Sequence, residues 1–189
     1  MGTRKEQIMD EALALIATKG YAACTMRAVA RASGLKLGAL QYHYRTREEL
    51  LTALAETIGM RYQKQFEVFT ASLDGRALTL FDFVDFGMMS PQESFWDEDR
   101  LFRQLWAMAS TEPMMQELLD EIYEEYLQVL DACLRAVGVE EPRAESLIIV
   151  AMLEGLTQFV GENRRWTKYA AKTRDSIHAM LAARYGIEP

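Results

Sequence analysis

Between positions 27 and 47 the chain crowds together side chains that suit a polyanion: Arg27, Arg31, Lys36, Gln41, Tyr42, His43, Arg45 and Arg47. Cations neutralise phosphates, and Tyr and His hydrogen-bond phosphate oxygens. Gln offers a paired donor and acceptor that match the edge of adenine. This is the chemistry of recognition rather than of bond making. The sequence carries no Cys/His pair at metal spacing, no Gly-rich phosphate loop and no serine elbow. His43 and His178 stand 135 positions apart, so neither is expected to be catalytic or to hold a metal. Cys24 and Cys133 fit no metal spacing and are expected to be buried, reduced thiols. Neighbouring carboxylates such as Glu124 and Glu125 read as a solvated helix face. No enzyme, cofactor or metal site is expected.

The elements that must position these groups are short helices. Thr25 is an N-cap, and Met26, Val29 and Ala30 give the helix after it an apolar side. Gly34 supplies a turn. A second helix runs from about Leu37 to Tyr44. Thr46 and Glu49 have the spacing of a capping box for a third, long helix. Two short helices around a Gly-containing turn describe a helix-turn-helix, whose second helix enters the DNA major groove.

The stretch from Arg4 onward resembles the TetR family of bacterial transcriptional regulators. The likeness lies in Gly20-Tyr21, the helix led by Thr25, Ala30 through Gly34, Leu35 and Lys36, then Gly38-Ala39-Leu40-Gln41-Tyr42-His43-Tyr44, and Arg47 with the two Glu and Leu50 after it. About fifty residues carry it, with a weaker echo at Met152-Leu153-Glu154-Gly155-Leu156. Two positions depart from the pattern. Lys36 replaces the Ser or Thr that usually caps the recognition helix, and Gln41 replaces a Tyr. The resemblance implies that Arg27, Leu37, Gly38 and Gln41 approach bases. Lys36, Tyr42, His43 and Arg47 suit phosphates. Arg4 and Lys5 are further candidates for the DNA backbone.

Net charge is −7, yet its distribution is uneven. Residues 1–47 hold eight Lys/Arg against three Asp/Glu, and residues 48–189 hold thirteen against twenty-five, balances of +5 and −12. A basic head on an acidic body is the pattern of a chain whose head alone meets phosphate. Half the residues are apolar and only four are Pro, which excludes global disorder. No apolar run is long enough to span a membrane and no signal-peptide core is visible, so a cytoplasmic location and no membrane partner are expected.

Beyond the head, helical periodicity continues to the end. The expected helices are 4–19, one led by Thr25 and ended by the turn at Gly34, 37–44, 47–70, 77–88, one beginning at Ser90-Pro91, one beginning at Pro113, one beginning at Pro142 and running to about Val160, and 164–185. The expected fold class is all-α, about nine helices. Residues 1–46 would form the helix-turn-helix DNA-binding domain and 47–189 a helical effector-binding and dimerisation domain. The body is rich in Met and aromatics, which suit a site for bulky apolar molecules. Phe86, Met89, Trp96, Phe102, Trp106, Met115, Tyr123, Met152 and Phe159 are the candidate ligand-binding residues, with Asp82, Asp85, Glu154 and Gln158 as polar points. Any one of the apolar residues reads as core ahead of ligand contact, and the polar ones could equally face solvent. The family implies a homodimer through the last two helices, for which Ala151, Gly155, Trp166, Ala170 and Ile177 are candidates, although these faces could instead complete the monomer core.

The reading is a ligand-responsive regulator: a dimeric repressor on a palindromic operator, released by a small, largely apolar effector. The alternative is a helical DNA-binding regulator acting as an activator, or through a protein partner without a small-molecule effector.

Overall fold

The computed structural model describes residues 3–88, 98–160 and 164–188, without the side chains of 62 and 98–103. Among the described residues the chain is all-α. The described residues form nine α-helices: α1 (Arg4–Lys19), α2 (Met26–Ala32), α3 (Leu37–His43), α4 (Arg47–Ala71), α5 (Leu80–Met88), α6 (Glu98–Ala109), α7 (Pro113–Ala136), α8 (Arg143–Val160) and α9 (Ala170–Tyr185). Two 3-10 turns, Tyr21–Ala23 and Thr167–Tyr169, join them. The expected start of the sixth helix at Ser90 and Pro91 lies outside the described residues. No described helix is long and apolar enough to cross a membrane.

Two compact units are present, residues 1–63 with 95–122 and residues 64–94 with 123–189. In the first unit, α1 starts with a capping box. Thr3 Oγ1 accepts from the Glu6 amide, while the Glu6 carboxylate accepts from the Thr3 amide. Ile8, Met9, Ala12, Leu13 and Ile16 recur at helical spacing and are all buried. α1 packs on α2 and α6, and α2 packs on α3. Leu50, Leu51, Leu54 and Ile58 of α4 are buried, as are Leu105, Met108 and Met115.

In the second unit, α5 packs against α8 and α9. Leu80, Phe83, Val84, Leu130, Leu134, Ile149, Leu153, Ile177 and Leu181 form one apolar cluster. The apolar run from Ala77 does not begin α5, because a local cap intervenes. The Thr79 hydroxyl accepts from the Asp82 amide at 3.2 Å, and the Asp82 carboxylate accepts from the Thr79 amide at 2.9 Å. Arg76 grips the same carboxylate with two bonds of 2.5 Å. These bonds, from Arg76 first and then Thr79, hold the Asp82 carboxyl far below the usual carboxylate range against the opposing effect of burial. Asp82 is therefore spent on starting a helix. The expected helix over 164–185 likewise begins later, at Ala170, after the 3-10 turn.

The start of α8 is pinned by a buried carboxylate. Asp131 of α7 accepts from Ser146 Oγ at 2.6 Å and from Arg143 Nε at 3.0 Å, and both Asp131 and Ser146 are almost wholly buried. Removing that acceptor strands the Ser146 hydroxyl without a partner. Asp131→Ala is therefore expected to lower the free energy of unfolding by about 2 kcal/mol, read by urea denaturation. A loss below about 0.5 kcal/mol would show that water takes over the carboxylate's bonds.

Candidate nucleic-acid interface

The turn between α2 and α3 is built by backbone bonds that a side chain at the turn would hinder. Gly34 has φ +66°, its amide donates to Arg31 O at 3.1 Å, and the Leu35 amide donates to Ala30 O at 2.7 Å. This pair of bonds is the Schellman arrangement, which favours Gly at the left-handed position. Thr25 Oγ1 caps α2 by accepting from the Ala28 amide at 3.2 Å. Arg4 of α1 clasps the turn by donating from Nη2 to Ser33 O at 2.9 Å. Lys5 sits over the Tyr44 ring, 5.6 Å from its centroid.

α3 is seven residues long and has one fully buried side chain, Leu40. Its other side is open. Gly38, Ala39, Gln41 and Tyr42 are exposed, Tyr42 at 88%. Leu37 and His43 are half-buried, and His43 meets the Tyr42 ring edge-on at 5.5 Å between centroids. Arg27 on α2 and Lys36 before α3 are exposed. Lys36 makes no side-chain cap bond, leaving its ammonium outside the helix start. A Cβ added at Gly38 would meet nothing within 4 Å, so no described residue demands glycine there.

The candidate Arg47 is placed differently. Its guanidinium donates to Glu112 Oε1 at 2.8 Å and to the Tyr21 hydroxyl. Thr46 caps α4 through the Glu49 amide at 3.1 Å, but the Glu49 carboxylate accepts from the Arg45 amide at 2.7 Å, one residue before the expected partner. The sequence marked Tyr21 as part of the family likeness but gave it no contact, and Gln104 and Glu112 were not among the candidates. No periodicity marks a pairing between residues 47 and 112, sixty-five positions apart.

Of the candidate ligand residues, Met89 and Trp96 and the side chain of Phe102 lie outside the described residues. Trp106 (half-buried) and Met115 (buried) belong to the first unit. In the second unit, Phe86 meets Phe66 and Phe69, each at 5.2 Å between centroids, and Phe66 also meets Tyr126 at 6.2 Å. Met152 packs against the core cluster. Tyr123 donates to Glu154 Oε1 at 3.0 Å, and Gln158 is half-buried one turn further along α8. Phe159 is 53% exposed. Asp85 lies 3.1 Å from His178 Nε2 and 3.8 Å from Arg174.

Among the candidate dimer residues, Ala151 and Trp166 are exposed, and Gly155 and Ala170 are half-buried. Ile177 is buried in the core of the second unit and has little surface left for a partner. Leu147, Ile148, Phe159, Tyr169 and Met180 are large apolar side chains left exposed on or beside the same helices. Both thiols are buried, and burial pushes each up to about 11.

Residues 8–54 match the family model described as bacterial regulatory proteins, tetR family. An HTH-type transcriptional regulator from the dhlA 5′ region of Xanthobacter autotrophicus is 26% identical over 155 residues, covering 77% of this chain and 74% of the relative. A transcriptional regulator from Rhodococcus sp. Rha1 has the same fold, with a TM-score of 0.77 at 18% identity over 99% of this chain and 100% of that one. So does a transcriptional regulator from Saccharomonospora viridis solved in complex with choline, at a TM-score of 0.72 and 19% identity over 94% of each chain.

Because Gly38 is exposed and unopposed, Gly38→Ala is expected to leave the melting temperature unchanged or slightly higher, since Ala is the better helix former by up to about 1 kcal/mol. The same variant is expected to bind duplex DNA at least tenfold more weakly, because a methyl group would keep α3 from the groove. Thermal unfolding and fluorescence anisotropy on one preparation check both. Unchanged DNA affinity would remove Gly38 from the interface.

Proposed function

We propose that this chain is a regulator of the TetR family, a dimeric, ligand-responsive repressor that binds a palindromic operator. The observation that carries the DNA reading is the face of α3. Gly38, Gln41 and Tyr42 stand exposed on a helix anchored by Leu40, next to exposed Arg27 and Lys36. A seven-residue helix reads few base pairs, so a second copy related by a two-fold axis supplies the rest of the site. The stripe Ile148, Ala151, Gly155 and Phe159 along α8, at three- and four-residue spacing and exposed except for the half-buried Gly155, supports pairing of two such copies. Met180, Trp166 and Tyr169 supply further apolar surface for it.

In this reading Gln41 faces a base, adenine being its best partner, and Leu37 touches a thymine methyl group. Lys36, Tyr42 and His43 bind phosphates. The effector is small and largely apolar. Phe66, Phe69, Phe86 and Tyr126 offer flat rings in the second unit, and the Tyr123–Glu154 pair offers one polar point. The choline held by the Saccharomonospora viridis regulator supports a small-molecule role for a body of this fold. Effector binding lowers DNA affinity only if the effector prefers the state that does not bind DNA. Activation, or control by a protein partner, follows if the operator lies upstream of a promoter's polymerase site or if no small molecule changes DNA affinity.

Selection of bound fragments from the source genome, followed by footprinting, tests the proposal. The expected result is a protected palindrome next to a gene. Absence of protection at low salt, where phosphate contacts are strongest, would sink the DNA-binding reading. On the selected fragment, Gln41→Ala is expected to change which base is preferred within a half-site. Lys36→Ala should weaken all sequences alike and reduce the salt slope by about one per head. Identical effects of the two substitutions on sequence preference would reject this division of roles.

A further inference from the structure

One polar cluster in the first unit is unused by the proposed contacts with bases and phosphates. It joins the start of α4, the 3-10 turn after α1, α6 and the start of α7. Arg47 Nη1 donates to Glu112 Oε1 at 2.8 Å, and Nη2 donates to the Tyr21 hydroxyl. That hydroxyl donates in turn to the same Glu112 Oε1 at 2.5 Å. The guanidinium also lies against the Tyr21 ring, 5.1 Å from its centroid. The Tyr21 amide donates to Gln104 Oε1 at 2.9 Å.

Glu112 is a fixed point for this cluster. Its amide donates to Met108 O at 2.9 Å, closing the end of α6, and its carbonyl accepts from the Met115 and Gln116 amides, opening α7. Its carboxylate is held below the ordinary carboxylate range by the bonds from Tyr21 and then Arg47. Burial and the bond to Glu112 push the Tyr21 hydroxyl up. At neutral pH the carboxylate is therefore charged and the phenol is a donor. A lone exposed ion pair contributes little. Here one guanidinium makes two bonds and a ring contact, and the members polarise one another.

We propose that Glu112 is a positioning residue for DNA binding. Through Arg47 and Tyr21 it fixes the first turn of α4 and the end of α1, and so sets how α2 and α3 are presented. This rests on the DNA-binding reading above and adds a role for a residue that touches no DNA. Arg47 then acts as a pin rather than a phosphate contact, with one donor committed to Glu112, another to the Tyr21 hydroxyl, and its plane against the Tyr21 ring. The arrangement also gives α6 and α7 a direct hold on the head. Gln104 and Glu112 lie two and three residues from the candidate effector contacts Trp106 and Met115, so a shift of the turn at 110–112 would be felt at Tyr21 and Arg47.

The test uses the full chain and a duplex recovered by genomic selection, with a random-sequence duplex beside it. Affinities are measured over a salt series for wild type, Glu112→Ala, Arg47→Ala and the double variant. Each single variant is expected to bind about tenfold more weakly, the double variant no worse than either, with the slope of log K against log salt unchanged. Hydrogen exchange should quicken at the 3-10 turn and the first turn of α4 only. Unchanged or tighter binding by Glu112→Ala, as removal of a negative charge alone would give, overturns the proposal. So does a salt slope that falls by about one per head in Arg47→Ala but not in Glu112→Ala, which would make Arg47 a phosphate contact. Should Glu112→Ala fail to fold, Tyr21→Phe keeps the ring and removes only the bridging hydroxyl. Weaker binding at an unchanged melting temperature is then expected, and full wild-type affinity overturns the proposal. Wild-type protein that binds no duplex would defeat the DNA-binding reading and this inference together.

Discussion

A recognition helix must be exposed on the face that reads and rigid on the face that does not. Seven residues cannot meet both demands alone, since an isolated helix of that length is unstable in water. α3 meets them by committing Leu40, with Tyr44 just beyond its end, to the interior. The rest of the first unit follows from that one anchor. α1 is amphipathic so that α2 has something to lie against. Gly34 lets the chain turn tightly enough for α2 and α3 to share a core. Thr46 then starts a long helix whose first buried leucines close the space.

The second unit divides its polar and apolar work differently. Two buried carboxylates fix helix starts, Asp82 at α5 and Asp131, through Ser146, at α8. Such groups define where a helix begins and resist displacement. Between these fixed points lie half-buried rings and methionines, whose contacts tolerate rearrangement.

The head was legible in the sequence because its determinants are local. Thr25, Gly34 and Thr46 act on backbone groups within five residues, and the spacing of Leu37 to Tyr44 placed α3 to within one residue. The family likeness covered this same stretch. The body was legible as helices but less so in its details. α5 starts at Leu80 rather than 77 because the Thr79–Asp82 cap overrides an apolar run. Asp82 offered itself as a polar point of a ligand site and is instead held by Arg76. The pairing of Tyr21 with Arg47, Gln104 and Glu112 passed unnoticed, since contacts across 26 to 91 positions leave no local pattern. Ile177 shows the same limit: an apolar residue on a terminal helix reads alike whether it faces a partner or its own core.

The two thiols have a practical consequence. With each pushed up to about 11 by burial, only about one in ten thousand is a thiolate at neutral pH. Electrophilic dyes and mild oxidants act on the thiolate, so the native chain is close to inert toward them. A cysteine introduced at an exposed position would react alone, without first stripping Cys24 and Cys133 from the core. Spectroscopic probes can thus be attached one at a time to an otherwise unaltered protein, and opposing motions of its helices followed in solution.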